Sequence, residues 1–167
     1  MTKYKVGDLV VHGHEIGRVT EIIKDFRGQG PHYRIQAISD DSLFVTTPVD
    51  QKNTLLRSII NKKDAEEIID EILSIDCVEL ETRNAEAVYN DLIRSGDHRD
   101  MVRLIKTSYE KCADKAKKGM RSNEKDKLYL RLGEKLLYSE FAVALNKSFD
   151  ETKEYVMNRV QAIESAA

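Results

Sequence analysis

Two histidines flank one glycine in "VVHGHEIG", Val10 to Gly17, and this is the first place where residue types and spacing could do chemistry. An HxH pair on a strand sets two imidazoles on one face, as a metal site requires. A third ligand is missing, because no carboxylate or cysteine follows at ligand spacing. The plainer role is a pair of strand-end histidines hydrogen-bonded across a hairpin, and no metal or other cofactor is expected. Cys77 and Cys112 lie far apart and outside any CxxC or HxxxH pattern, so reduced, packed thiols are expected rather than a disulfide or a zinc site. Glu66 and Glu67 sit on what reads as the polar face of a short helix. There is no local Ser/His/Asp or Cys/His arrangement, P-loop or GxGxxG, so no catalytic residue is expected and the chain does not read as an enzyme. What remains is sorted charge. Between Lys111 and Lys135 nine basic residues stand against four acidic ones, whereas acids dominate between Asp64 and Asp100. A positive segment of this kind suits phosphate, since neutralising phosphates and releasing counterions supplies most non-specific affinity for nucleic acid.

These residues need a frame. From Lys5 to Ile60 the pattern has period two, in the runs "DLVVH", "IGRVTEIIKDF", "HYRIQAI", "SLFVTTP" and "TLLRSII", separated by Gly13, "RGQGP" and "SDDS". β-Branched and aromatic residues at that period predict five short strands, and the tight turns predict a small, strongly bent sheet or barrel. Gly17 marks a bulge or a close approach of two strands, and Pro48 the end of an edge strand.

After Asn61 the period becomes helical. "NKKDAEEIIDEILS" puts Ala65, Ile68, Ile69, Ile72 and Leu73 on one stripe behind an Asn61 N-cap. A second helix over about 84–95 carries Val88, Tyr89, Leu92 and Ile93 and stops at Gly96. A third runs over about 97–118 and ends at Gly119. A fourth begins near Ser122, whose hydroxyl and neighbouring amides suit a phosphate, and buries Leu128, Leu132, Leu136, Leu137, Phe141 and Leu145. The fifth opens on "SFDE", with Ser148 and Glu151 at capping-box spacing, and continues through Tyr155, Val156, Val160 and Ile163.

A chain of 167 residues, 41% hydrophobic and 34% charged, can bury one or two modest cores. The change of period divides it into residues 1–60 and 61–167, an α+β protein with about five strands followed by about five helices. No run approaches the roughly 18 apolar residues of a membrane span. "MTKYKVGD" lacks the features of a signal peptide, so a cytoplasmic location is expected.

The stretch "VGDLVVHGHEIGRV" resembles the opening of the CarD family and of the related polymerase-interaction domain in transcription-repair coupling factors. That pattern runs G-D-x-V-V-x, then a histidine–glycine pair, then G-x-V, and Glu15 stands where it usually has glycine. "SLFVTTPVDQ" followed by "LLRSII" resembles the family's last strands. "LIRSGD" resembles a turn between two helices of its C-terminal domain, and "RSNEKDKLYLRLGEKLLYSEFAVAL" resembles its long helix. The matches span nearly the whole chain in order.

The resemblance implies a bacterial transcription regulator. Its N-terminal domain, a Tudor-like β-barrel, would bind the β subunit of RNA polymerase. Its helical domain would contact promoter DNA at the upstream edge of the bubble, and together they would stabilise the open complex. The polymerase-binding strand falls on Leu43, Phe44, Val45, Thr46, Thr47 and Pro48, with Thr46 and Thr47 where some relatives place a basic residue. An exposed strand edge can accept a partner strand through its backbone. For DNA the candidates are Arg83 and Asn84, placed by the resemblance, and Lys111, Lys115, Lys117, Lys118, Arg121 and Lys125 from the basic segment. Family members often insert a tryptophan into the minor groove. This chain has none, and Thr82 stands at that position. With a net charge of −2 the protein is expected to be a monomer that binds promoter DNA weakly unless polymerase holds it there. The alternative is a protein–protein adaptor of the transcription machinery, in which the basic segment is incidental.

Overall fold

A computed structural model describes residues 2–50 and 55–167. The chain forms two compact units, Met1–Ile59 and Ile60–Ala167. The fold is α+β, a five-stranded antiparallel sheet followed by five helices. Thr54, the expected start of the fifth strand, and Gln51 lie outside the described residues.

The first unit contains β1 (Leu9–His12), β2 (Glu15–Ile23), β3 (His32–Ala37), β4 (Phe44–Pro48) and β5 (Leu56–Ser58), in the order β4-β3-β2-β1-β5. Gly13 and His14 form the two-residue turn between β1 and β2, with Cα pairing His12↔Glu15. Gly13 has φ 61°, the positive value that the first position of a II′ hairpin turn requires. Its N–H donates to Leu55 O at 3.1 Å, so the opening stretch is a hairpin tied to the approach to β5. Gly17 serves close approach. A Cβ there would lie 2.4 Å from Ile35 Cγ2 and 2.9 Å from Gln36 O, while the register shift falls between Val19 and Glu21 rather than at Gly17. Val10, Val19, Tyr33 and Ile35 form the core with Tyr4. The Tyr4 ring meets Tyr33 edge-on at 5.7 Å, and the Tyr4 N–H donates to Tyr33 Oη at 3.1 Å. Among the described residues β4 and β5 are edges and the sheet does not close on itself.

The second unit contains α1 (Lys62–Glu71), a 3₁₀ turn (Ile72–Ser74), α2 (Ala85–Ser95), α3 (His98–Lys117), α4 (Glu124–Leu145) and α5 (Phe149–Ala166). Local signals set its boundaries. Asn61 accepts from Asp64 N, Asp97 from Arg99 N and Asp100 N, and Ser148 from Glu151 N. Gly96, at φ 70°, ends α2 in the left-handed conformation that costs glycine nothing. Leu73 departs from the expected stripe. The chain tightens to the 3₁₀ turn at Ile72, which rotates Leu73 out to 42% exposure, and Lys106 Nζ donates to Ile72 O at 2.8 Å. In α4 the expected Leu137, Phe141 and Leu145 are buried and Leu132 and Leu136 pack against the core, and the stripe departs at Leu128. Leu128 is 57% exposed, and the buried face runs through Asp126, Tyr129, Gly133, Leu137, Glu140 and Phe141. A Cβ on Gly133 would lie 2.9 Å from Ile105 Cγ1 and 3.2 Å from Leu104 Cδ2, so this face is where α3 and α4 come closest. Glu140, buried, accepts from Ile60 N at 2.9 Å and from His98 Nε2 at 3.0 Å. No helix among the described residues is long and apolar enough to cross a membrane.

Candidate partner-binding surfaces

In the sheet unit the six residues from Leu43 to Pro48 lie together at one edge. The pairing of β4 with β3 is Phe44↔Gln36, Val45↔Ile35, Thr46↔Arg34, Thr47↔Tyr33 and Pro48↔His32. Ala37 N–H donates to Leu43 O at 2.9 Å and Val49 N–H to Pro31 O at 3.0 Å. Antiparallel ladders alternate hydrogen-bonded and non-bonded pairs. Val45, Thr47 and Val49 therefore turn their amides toward β3, Leu43 turns its carbonyl there while its N–H donates to Asp40 O at 3.0 Å, and Phe44, Thr46 and Pro48 face outward. Pro48 has no N–H to offer there, as suits an edge strand. The outward-facing backbone is thus the N–H and C=O of Phe44 and of Thr46, with the C=O of Pro48. Thr47 is buried and Val45 half-buried, whereas Leu43 and Phe44 are 40% and 42% exposed. The Arg34 guanidinium lies 4.7 Å from the centre of the Phe44 ring, and no charged side chain sits between Leu43 and Val49. The Val45 N–H belongs to the β3 ladder, so proline there breaks the sheet, and Thr46 is the position that tests the edge.

In the helical unit the structure brings some of the DNA candidates together and separates others. A groove of about 310 Å³ is lined by Thr82 and Arg83 from the turn before α2, Lys111 and Lys115 from α3, and Asn123 and Lys125 at the start of α4. Leu80, Glu81, Ala85, Glu86, Tyr89 and Asp126 complete it. Among the described residues Arg83, Lys111 and Lys115 form no ion pair. Lys125 Nζ is 2.8 Å from Glu86 Oε2, and that hydrogen bond raises the lysine pKa above its ordinary value. The floor is a buried polar pair, with Tyr89 Oη donating to Asp126 Oδ1 at 2.8 Å. Burial, then this hydrogen bond, pushes the Tyr89 hydroxyl well above the usual tyrosine range. Tyr129 Oη donates to Asn90 Oδ1 at 2.9 Å, and its ring lies 4.8 Å from that of Tyr89.

Four candidates stand outside this groove. Lys117 is the last residue of α3, Lys118 its C-cap, and Arg121 follows in the connecting loop, all exposed. Asn84 lines a neighbouring groove of about 550 Å³ with Cys77, Glu79, Glu81, Glu110, Lys111 and Asp114, an acidic surrounding. Its carboxamide oxygen is committed to the turn, accepting from Glu81 N at 2.9 Å. Burial and then a hydrogen bond with Glu110 push the Cys77 thiol up, which disfavours a reactive thiolate. Ser122 is not the helix start. Asn123 caps α4 by accepting from Lys125 N at 2.9 Å, so the first turn has its own protein acceptor. Sequence reasoning missed Glu86 and Asp126, the acids that temper the groove, because their partners Lys125 and Tyr89 are distant in the chain.

His12 and His14 stay at the hairpin turn of the sheet unit. Among the described residues no group of three or more His, Cys, Asp and Glu side chains is arranged to hold a metal ion. No protein-family model matches the chain, and no curated protein sequence matches it.

Proposed function

We propose that this protein is a bacterial transcription regulator of the CarD type. It binds the β subunit of RNA polymerase through the β4 edge and promoter DNA at the upstream edge of the bubble through the cationic groove, and so prolongs the open complex. The sheet unit is read as an open Tudor-like barrel, having the five antiparallel strands such a barrel needs. The observation that carries the reading is the convergence of Arg83, Lys111, Lys115 and Lys125, from three separate elements, on one groove. A solvated lysine-rich helix end would scatter its cations, and a phosphate-tracking surface gathers them. Support on the other unit comes from the uncharged strand edge with two outward amides, the form that strand addition uses. The reading makes the protein a cytoplasmic, cofactor-free, non-catalytic partner of polymerase.

Thr82 at the rim of the groove cannot prop open a base step as an inserted tryptophan does. Stabilisation of the bubble then rests on phosphate contacts alone. The decisive experiment is open-complex lifetime on one promoter with and without the protein. The lifetime should lengthen, Thr46→Pro should abolish the effect together with polymerase binding, and Arg83→Ala should shorten the lifetime with polymerase binding intact. A protein that leaves the lifetime unchanged while binding β would sink the DNA half of the proposal. That outcome is the adaptor reading, which the acids Glu81, Glu86 and Asp126 among the groove's cations favour.

A further inference from the structure

We infer that β4 also pairs with β4 of a second copy of this chain, antiparallel across a twofold axis at Val45. The outward-facing groups of the strand are self-complementary. Phe44 and Thr46 are two residues apart, and each offers one donor and one acceptor. In an antiparallel pairing Phe44 faces Thr46 of the second copy and Thr46 faces its Phe44. Each opposed pair exchanges two N–H···O=C bonds, giving four in all. Val45 then meets its own twin at the axis, and Leu43 faces Thr47.

In this register the ladder ends on both sides. One step outward, Ser42 would face Pro48 of the second copy. Pro48 has no N–H, and the Ser42 N–H already donates to Asp40 Oδ1 at 2.9 Å. Sliding the strands by two residues toward Pro48 leaves one exchanged pair at Thr46, flanked by single bonds from each Phe44 N–H to the Pro48 C=O of the other copy. Charge does not oppose the pairing, because Leu43 to Val49 carries none and the Arg34 guanidinium is held over the Phe44 ring. Native sheets usually guard their edges with charge. The opposite edge shows such a guard, where Arg57 Nη1 donates to Ser58 O on β5 at 3.2 Å. Among the described residues β4 carries no such guard, and on it Leu43 and Phe44 are exposed.

Four backbone bonds and a few apolar contacts make a small interface, below the roughly 1,200 Å² of a stable complex, so the dimer is weak and forms as concentration rises. The pairing needs no polymerase and does not rest on the function proposed above. The test is sedimentation equilibrium of the full chain alone between about 10 µM and about 1 mM, the range in which so small an interface associates. The average mass should climb toward twice the monomer mass of 19.1 kDa. Thr46→Pro should hold it at the monomer value. Should that variant misfold, Phe44→Lys/Thr46→Lys serves instead, since it sets lysine opposite lysine at both exchanged pairs, and Phe44→Glu/Thr46→Glu does the same with glutamate. Each double variant should remain monomeric alone, and an equimolar mixture of the two should recover the wild-type association. A wild-type mass fixed at the monomer value up to about 1 mM, or association that survives in the lysine variant alone, overturns the inference.

Discussion

In the proposed function the sheet unit meets a partner with main-chain groups, and the helical unit meets one with side-chain charge. Recognition by a strand edge depends on a few amides in fixed register. It is indifferent to salt, and one proline where the N–H points outward can abolish it. Recognition by the groove depends on Coulomb attraction to a polyanion, which tolerates small displacements and fades as salt rises. The construction of each unit follows the same division. A displaced strand in the sheet unit misplaces every amide beyond it, so tight backbone contacts must be kept. A helix in the second unit can shift by a few tenths of an ångström and leave its lysines in reach of phosphate.

Two glycines sharpen this contrast and carry the largest expected effect. At Gly17 an added Cβ meets Gln36 O at 2.9 Å and Ile35 Cγ2 at 2.4 Å, so Gly17→Ala forces β2 and β3 apart. The expected loss is about 3 kcal/mol, the upper range for overpacking. At Gly133 the nearest atoms are the ends of the Ile105 and Leu104 side chains, at 2.9 and 3.2 Å, which can rotate away. Alanine is also a better helix former than glycine by about 1 kcal/mol, so Gly133→Ala should change stability by no more than about 1 kcal/mol. Hydrogen exchange on the full chain reads both variants. Gly17→Ala should unprotect the amides of β2 and β3 alone, and equal losses from the two glycines would show that α3 and α4 pack as rigidly as the strands do.

The helical unit should be the alkali-sensitive one. Burial, with the nearby Glu134, pushes the Tyr138 hydroxyl up to about 12 from an ordinary 10. The folded state then holds a proton that the unfolded state releases, so stability is complete below about pH 10 and is lost as pH rises to about 12. Two pH units correspond to about 3 kcal/mol. Tyr89 is raised as well, by burial and by Asp126, and adds to the loss. Absorbance titration of the tyrosinates should show these two ionising only with unfolding. In Tyr138→Phe the alkaline loss of stability should be smaller, and an unaltered alkaline profile would place the sensitivity elsewhere.

Where a signal is local, the sequence carried it. Asn61, Gly96 and Ser148 each act within a few residues of themselves, and the structure puts a cap at all three. The alternation of β-branched and aromatic residues likewise marked five strands. Hydrophobic period alone put Leu137, Phe141 and Leu145 rightly in the core but turned Leu128 inward as well. Leu128 continues the stripe of Leu132 and Leu136, which do pack against the core, and it is turned out by the fit of Gly133 against Leu104 and by the Tyr89 partner of Asp126. Neither contact is visible from α4's own residues. The edge position of β4 depends on strand order, which period two does not encode. Lys111, Lys115 and Lys125 were legible as charge and Arg83 only through the resemblance, and none of them as a groove, because α2 and α4 must first pack on α3.

The salt dependence of promoter binding separates the cations that the structure divides. Lys111→Gln with Lys115→Gln should weaken binding equally for all sequences and lower the slope of log K against log salt by about 0.9 for each phosphate that is no longer neutralised. Lys117, Lys118 and Arg121 stand outside the groove. Their combined replacement by glutamine tests whether phosphates are tracked along the helix end too. A larger slope change from these three than from Lys111 and Lys115 would move the DNA path off the groove and onto the turn between α3 and α4.

The smallest effect, and one of opposite sign, is expected from Glu86. Its carboxylate holds Lys125 Nζ at 2.8 Å in an exposed pair, and exposed pairs contribute little to stability. Glu86 also lies in the first turn of α2, where a negative charge meets the positive end of the helix dipole. Glu86→Gln therefore loses a little helix stabilisation, and the melting temperature should move by no more than a degree or two. In the groove the consequence runs the other way. Lys125 keeps its charge at neutral pH without Glu86, since the carboxylate only raises an already high pKa, and it becomes available to a phosphate. Promoter DNA should bind a few-fold more tightly, with a salt slope steeper by about 0.9, the signature of one more phosphate neutralised. Tighter binding with an unchanged slope would mean that Glu86 acts by repulsion at a distance and that Lys125 does not reach the backbone. Unchanged binding together with an unchanged slope would take the groove away from DNA and leave the helical unit to a protein partner.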